Sequence, residues 1–276
     1  QGNRKMSEVE LFEIRNWLFK LMHESRKVYQ QEAVKFTLSG KNHQDFVTSL
    51  DLNLQKFISN EISEKYPNHV ILAEEDAPDE ISLDGIVWIV DPLDGTVNFI
   101  NNIPIFNISI SMLINGMPHI AAVYDLIHNE LFQAVLGYGA TLNSSSINLQ
   151  QIKRESDFIA VSTGVLDLIY DSEVGSFKKL RKLGKIRILG SQALQLCYVA
   201  CGRLRANISV EAKIWDDSAG SLILREAGGS YKSLVSGDIV FLNENFATLQ
   251  DQYSIGTSNN LSQELFIWFS RLVRAQ

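Results

Sequence analysis

Cysteine is scarce. The chain has two, Cys197 and Cys201, spaced C-x-x-x-C. That spacing fits neither a C-x-x-C redox motif nor a paired zinc framework, and two thiols cannot build a disulfide scaffold. Their helical spacing reads as a pair of reduced core thiols, which makes a reducing cytoplasm the expected location. With 5 Pro and 17 Gly, collagen and low-complexity linkers are excluded. Long apolar runs are missing too: Ile86-Val87-Trp88-Ile89-Val90 is strand-sized, far below the ~20 residues of a membrane helix. Near the N-terminus, Arg4 and Lys5 lead into acidic amphipathic sequence where a signal peptide would have an apolar core. The five His are scattered, with no H-x-x-x-H pair, which argues against a zinc hydrolase. No G-x-S-x-G occurs, so a serine hydrolase fits poorly. Positive charge is also short, 25 Lys and Arg against 32 Asp and Glu. The net charge of −7 repels nucleic acid and anionic membrane in bulk.

What is present is an ordinary globular composition, 45% apolar and 21% charged over 276 residues. That length suits one large domain or two closely packed subdomains, burying about three quarters of the unfolded surface. Ser7-Glu8-Val9-Glu10 reads as a capping box, and Leu11, Ile14, Leu18 and Leu21 repeat at helical spacing, predicting a helix to about Glu32. After a polar stretch, Ser39 to Gln44, a second helix carries Leu50, Leu54, Phe57, Ile58 and Ile62 and ends at Pro67. Val70 to Ala73 is a short strand running into Glu74-Glu75-Asp76, and residues 86–90 form another, running into Asp91. From Phe106 to Leu136 the pattern is β-rich, with a turn at Gly116-Met117-Pro118 and a hairpin about His128-Asn129-Glu130. Asn143 to Asn148 reads as a polar loop. Strands at Ile159–Val161, Ile186–Leu189 and Ala206–Val210 then alternate with helices at Glu173–Leu183, Ala193–Val199 and Trp215–Ala227. The first half is therefore α+β and the second α/β, with a boundary near residues 148–157.

The strongest chemical signal is Asp91-Pro92-Leu93-Asp94-Gly95-Thr96. Pro92 fixes φ, and Gly95 permits a tight turn with close backbone approach. Such a turn can aim both carboxylates and the Leu93 carbonyl at one point, with the Gly95 and Thr96 N–H groups set to receive phosphate. Oxygen ligands without His or Cys suit hard cations, Mg²⁺ or Mn²⁺ above all. Taken alone, the motif reads equally as an Asp-rich surface turn. Glu74-Glu75 also ends a strand, where successive side chains face opposite ways, so one of the pair should face the site. Asp51 near the start of the second helix and Asp216 at the start of a later one each read, singly, as N-terminal helix charges. Asp216 and Asp217 lie about 100° apart around that helix and should not enter one site together.

Four segments together resemble the inositol monophosphatase family of magnesium-dependent, lithium-sensitive phosphatases: Asp45-Phe46-Val47-Thr48-Ser49-Leu50-Asp51, Ile71-Leu72-Ala73-Glu74-Glu75, Trp88-Ile89-Val90-Asp91-Pro92-Leu93-Asp94-Gly95-Thr96-Val97-Asn98-Phe99, and Trp215-Asp216-Asp217-Ser218-Ala219-Gly220 with Glu226-Ala227-Gly228-Gly229. The stretch from Gly190 to Arg203 resembles the family's second-subdomain helix, so the likeness runs from about residue 8 to 262. It implies a layered α-β-α-β-α sandwich: an α+β subdomain over 7–150 with most of the site, and an α/β subdomain over 151–276 completing the cleft. It implies that Glu74, Asp91, Asp94, Asp216 and the Leu93 carbonyl hold up to three Mg²⁺ ions, with Mn²⁺ as an alternative. Asp51, Thr96 and Glu74 would orient and activate the attacking water. Asp94, Gly95, Thr96, Gly190, Ser191, Gln192, Ser209 and Asp216 would bind substrate. The implied activity is hydrolysis of a small-molecule phosphate monoester by a metal-activated water, in a homodimer. NADP(H) 2′-phosphatase, fructose-1,6-bisphosphatase and adenosine bisphosphate nucleotidase activities belong to the same class. Some members regulate transcription without catalysis, but such a binder need not keep the whole acidic set present here.

The departures concern the alcohol side. Ser209 stands where many members have an inositol-binding Glu, and Glu211 follows two residues later. Gln192 replaces a small residue and Arg205 an Asp. Both read as enlarging or recharging the alcohol wall, which would favour a substrate with a second phosphate. Asp217 replaces a small or apolar residue and reads as a surface charge. The one basic run, Lys178 to Arg187, reads as a solvated helix face plus connector, with an anion contact as the functional alternative.

Overall fold

The capping box closes at the first helix. Ser7 N–H donates to Glu10 Oε2 at 2.8 Å, and Ser7 Oγ accepts the Glu10 N–H at 3.3 Å. The computed structural model describes residues 6–40, 46–78, 82–172, 175–234, 241–242, 252–258 and 262–274. Arg4, Lys5, His43, Asp45 and Glu173, with most of the polar stretch before Phe46, lie outside the described residues.

Eight α-helices are described: α1 (Glu8–Glu32), α2 (Ser49–Lys65), α3 (Thr96–Ile100), α4 (Thr163–Tyr170), α5 (Ser176–Leu183), α6 (Gln192–Ala200), α7 (Ile214–Glu226) and α8 (Ser262–Arg274). The described strands are β1 (Leu38–Gly40), β2 (Phe46–Thr48), β3 (Val70–Ala73), β4 (Ile86–Asp94), β5 (Asn107–Ile114), β6 (Met117–Asp125), β7 (Glu130–Val135), β8 (Ala140–Leu142), β9 (Ser145–Ile147), β10 (Phe158–Val161), β11 (Lys185–Arg187), β12 (Ala206–Ala212), β13 (Ser230–Leu234), β14 (Phe241–Leu242) and β15 (Gln252–Thr257). The first large sheet has the order β3-β4-β5-β6-β7-β8-β9, with β3 parallel to β4 and every later pair antiparallel. The second has the order β11-β10-β12-β15-β13-β14, in which β10 runs parallel to both β11 and β12 and the remaining pairs are antiparallel.

Alternation along the strands assigns the layers. Trp88 and Val90 of β4, with Ile108, Ile110 and Met112 of β5, face Leu18, Leu54 and Ile58 of α1 and α2. Val87 and Ile89 face the opposite way, into a core shared with Leu194, Leu196, Leu222 and Ile223 of α6 and α7. Those two helices also pack against β12 and β15 of the second sheet. A third core, with Val165, Leu180 and Leu265, places α4, α5 and α8 on the outer face of that sheet. The result is the α-β-α-β-α order of layers.

Several elements differ from expectation. The strand at 86–90 continues to Asp94, so Asp91 and Asp94 lie within it. The turn falls on Asn115 and Gly116, both at positive φ, while Met117 and Pro118 already belong to β6. The polar loop is a short hairpin, β8 to β9, turned by Asn143 and Ser144 at φ 48° and 67°. α4 was not anticipated, and the helix expected from Glu173 is described from Ser176. The basic run occupies α5 and β11.

Candidate active site

Residues three apart in a regular strand face opposite sides. On β4, however, Asp91 pairs with Ser109 and Asp94 with Asn107, so three steps on β4 match two on β5. This bulge adds one residue and restores parity. Asp91 and Asp94 thereby reach one point, and Asp216 meets them from the first turn of α7. One carboxylate oxygen from each lies within 4.8 Å of the others. The serines of β5 let α7 approach: Ser111 Oγ lies 2.7 Å from Ser218 Oγ, and Ser109 Oγ donates to the Trp215 carbonyl at 3.4 Å. Lys213 N–H donates to Asp216 Oδ2 at 2.6 Å, which fixes that carboxylate.

Burial, then repulsion from Glu74, Asp94 and Asp216, holds Asp91 well above the usual carboxylate range, and Glu74 also hydrogen-bonds it. Asp216 is likewise raised, by burial first and then by Asp94 and Glu74. Burial raises Asp94 as well, opposed by hydrogen bonds from Ser191, Asn107, Ala193 N–H and Gln192 N–H. Hard oxygen donors that repel one another at such short range fit a divalent cation such as Mg²⁺ or Mn²⁺.

Beside this cluster, Gly95 turns the chain at φ +94°, where an added Cβ would lie 2.8 Å from the Ile105 carbonyl. Thr96 Oγ1 lies 2.9 Å from both Asp51 Oδ1 and the Leu93 carbonyl, so its one proton is shared between them. Asp51 is the third residue of α2 and completes a capping box with Thr48, whose N–H donates to Asp51 Oδ2 at 2.9 Å. Burial raises the Asp51 carboxyl against the contacts from Thr48 and Thr96.

A cleft of about 210 Å³ opens from Asp94 and Asp216. Gly190, Ser191, Gln192, Ser209 and Glu211 line it. Glu211 accepts the Gly164 N–H at the start of α4. Two expectations are corrected. Arg205 does not face the cleft. It sits at the other end of β12, donating to the Leu183 carbonyl at 2.7 Å and to Glu155 at 3.0 Å, so the alcohol wall gains no cation from it. Asp217 is fully buried and not a surface charge. Burial pushes its carboxyl up to about 6, against donation from Gln192 and Tyr231. Sequence reasoning also missed Asn107, which donates to Asp94 Oδ2 at 2.7 Å, and Asn98, which ties the Ile105 and Leu189 carbonyls together. Their signal was present as polar side chains inside apolar segments.

The fold and this centre define a layered α-β-α-β-α protein with an acidic, cation-suited site between its sheets. A sequence profile of the inositol monophosphatase family matches residues 6–267, and the chain belongs to that family. It is 37% identical over 233 residues to the inositol-1-monophosphatase of Bacillus subtilis (strain 168), covering 83% of this chain and 88% of that protein. It is 35% identical over 240 residues to the Nus factor SuhB of Escherichia coli (strain K12), covering 85% and 88%. Among solved structures, the Thermotoga maritima IMPase superposes with a TM-score of 0.77 at 26% identity, covering 94% of this chain and 97% of that one.

Proposed function

We propose that this protein hydrolyses a small-molecule phosphate monoester in a Mg²⁺-dependent reaction. The observation that carries the reading is the convergence of Asp91, Asp94 and Asp216 within 4.8 Å beside the Asp51–Thr96 pair. Glu74, Asp91, Asp94, Asp216 and the Leu93 carbonyl would hold the ions, up to three. Bound Mg²⁺ would neutralise the phosphate dianion and lower the pKa of water. Thr96, donating to Asp51, keeps oxygen lone pairs to orient the attacking water and accept its proton. Asp51, buried and raised, suits the receiving end of that transfer. The N–H groups of Gly95, which precedes α3, and of Thr96, its first residue, would hold the phosphate, and Gly190, Ser191, Gln192 and Ser209 would face the alcohol.

Ser209 offers a hydroxyl where an inositol-reading carboxylate is usual, so inositol 1-phosphate should be accepted without exclusive preference. A panel with inositol 1-phosphate, NADP, fructose 1,6-bisphosphate and adenosine 3′,5′-bisphosphate, scored by phosphate release with Mg²⁺, tests the reading. No release from any member, with the protein folded, would sink it. The same reading carries a cytoplasmic homodimer, which sedimentation and fractionation would check. A regulatory role is the second reading, favoured by the likeness to a protein named as a Nus factor.

A further inference from the structure

Gln192 and Asp217, the two positions read from the sequence as an enlarged alcohol wall and a surface charge, meet. Gln192 opens α6 and Asp217 lies in the first turn of α7, 25 positions later. Gln192 Nε2 donates to Asp217 Oδ1 at 2.7 Å, and Gln192 Oε1 accepts from Asn207 Nδ2 at 3.0 Å. Asp217 Oδ2 accepts the Tyr231 hydroxyl at 2.7 Å. Gln195 closes the set, its Nε2 reaching Asn207 Oδ1 at 2.7 Å and Gln192 Oε1 at 3.3 Å. Asp217 and Asn207 are fully buried, and Tyr231 and Gln195 nearly so.

Gln192 also lines the cleft. A free amide there would be an adaptable reader of sugar hydroxyls, with two donors and a carbonyl acceptor. In this amide one Nε2–H is given to Asp217 and the carbonyl oxygen accepts from Asn207 and Gln195, so its inward bonds fix the plane of the group. The carboxylate at 217 is what permits it, because two acceptor oxygens serve the Gln192 and Tyr231 donors together. The Gln192 backbone is held as well, its N–H donating to Asp94 Oδ1 at 3.2 Å while the Ala193 N–H donates to Oδ2 at 2.9 Å.

We propose that Asp217 is a positioning residue that acts through Gln192, locking its amide into a rigid wall of the cleft and withholding it from the substrate. The cleft then selects alcohols by shape, with no adjustable contact on this side. The inference rests on the phosphatase reading and names what governs substrate choice within it. Releasing the amide broadens the alcohols accepted, and the change falls on KM more than on kcat.

A double-mutant cycle tests this. Asp217→Ser withdraws both carboxylate oxygens and leaves only a shorter hydroxyl, Asp217→Asn keeps an oxygen for Gln192, and Gln192→Ala removes the wall. KM and kcat are measured for inositol 1-phosphate and for a bulkier nucleoside 2′-monophosphate. Asp217→Ser should shift the ratio of the two KM values by about 3- to 10-fold, the worth of one hydrogen bond. Asp217→Asn should retain the wild-type ratio, and Asp217→Ser should add nothing to it in the Gln192→Ala background. A merely structural carboxylate would lower the Tm and leave the ratio unmoved, and that result overturns the proposal. So does an additive double mutant. If Asp217→Ser does not fold, Gln192→Ala decides alone, since an unchanged ratio there removes the wall from specificity. The side-chain amide signals of Gln192 in an ¹⁵N NMR spectrum give a readout independent of turnover. They should be protected from exchange in the wild type and in Asp217→Asn and become solvent-like in Asp217→Ser. Protected signals with no phosphate release from any ester would refute the phosphatase reading and leave the lock standing, whereas exposed wild-type signals refute the lock.

Discussion

Asp94 accepts from Asn107, Ser191, Gln192 and Ala193 while facing Asp91 and Asp216. Replacing it with Asn removes a charge and turns an NH₂ toward groups that donate. Asp216→Asn removes a charge with less disturbance, because Lys213 N–H needs only one oxygen. Each variant should lose at least ~100-fold in phosphate release, the scale of one preorganised electrostatic contact. Circular dichroism should show both folded. Turnover near wild type would mean the residue has been given the wrong role. The buried carboxyls also set a pH dependence. Asp51, Asp91, Asp94, Asp216 and Asp217 are all raised in the folded chain, Asp217 to about 6. The stability they contribute is full below the unfolded value of 3.8 and is lost as pH rises through the raised values. A cation binds the ionised cluster, so the rise in Tm produced by Mg²⁺ should grow as the pH is raised above 3.8 through the range in which Asp91, Asp94 and Asp216 ionise. A Tm difference flat across that range would contradict the cation site. The acidic segments themselves could be read because carboxylates at the ends of apolar strands and at helix starts stand out against their neighbours. Asp217 and Arg205 could not, since Gln192, Tyr231, Glu155 and the Leu183 carbonyl come from other segments and decide which of them is buried.

The turn from β4 into α3 shows the same division between local and distant causes. Gly95 has φ +94°, and its missing side chain leaves room for the Ile105 carbonyl. Gly95→Ala should cost about 1–2 kcal/mol in backbone strain alone, with more from the displaced segment before β5. A lowered Tm and reduced kcat/KM are expected, because Asp94 and Thr96 flank the turn. A variant with wild-type Tm would refute the close approach. The helices α1, α2, α6 and α7 were legible because periodicity and capping are local properties. The length of β4 was not, since Pro92 and two Asp look like a strand's end and only pairing with β5 shows a bulge. α4 was hidden by Ser162-Thr163-Gly164, small residues that read as loop. The β8–β9 hairpin was hidden by strands of three residues, too short for alternation to register.

At the scale of the molecule, the cluster joins two layers, with Asp91 and Asp94 from the first sheet and Asp216 from the helical layer between the sheets. Chelation should therefore abolish phosphate release and lower the Tm, and Mg²⁺ should restore both. Full activity in excess chelator would exclude the metal reading. Li⁺ should inhibit. The shared middle layer also bears on the order in which the chain is made. Leu72, Val87, Ile89, Leu113, Val123 and Phe132 share one core with Leu194, Leu196, Leu222 and Ile223. The seven-stranded sheet is built from residues 70–147, whereas its covering helices begin at Gln192 and Ile214. During synthesis, one apolar face of that sheet has no cover until both helices have left the ribosome. A fragment ending near residue 150 keeps every strand of the first sheet and leaves that face to water, so it should aggregate on release and stay soluble only when residues 151–276 are supplied alongside it.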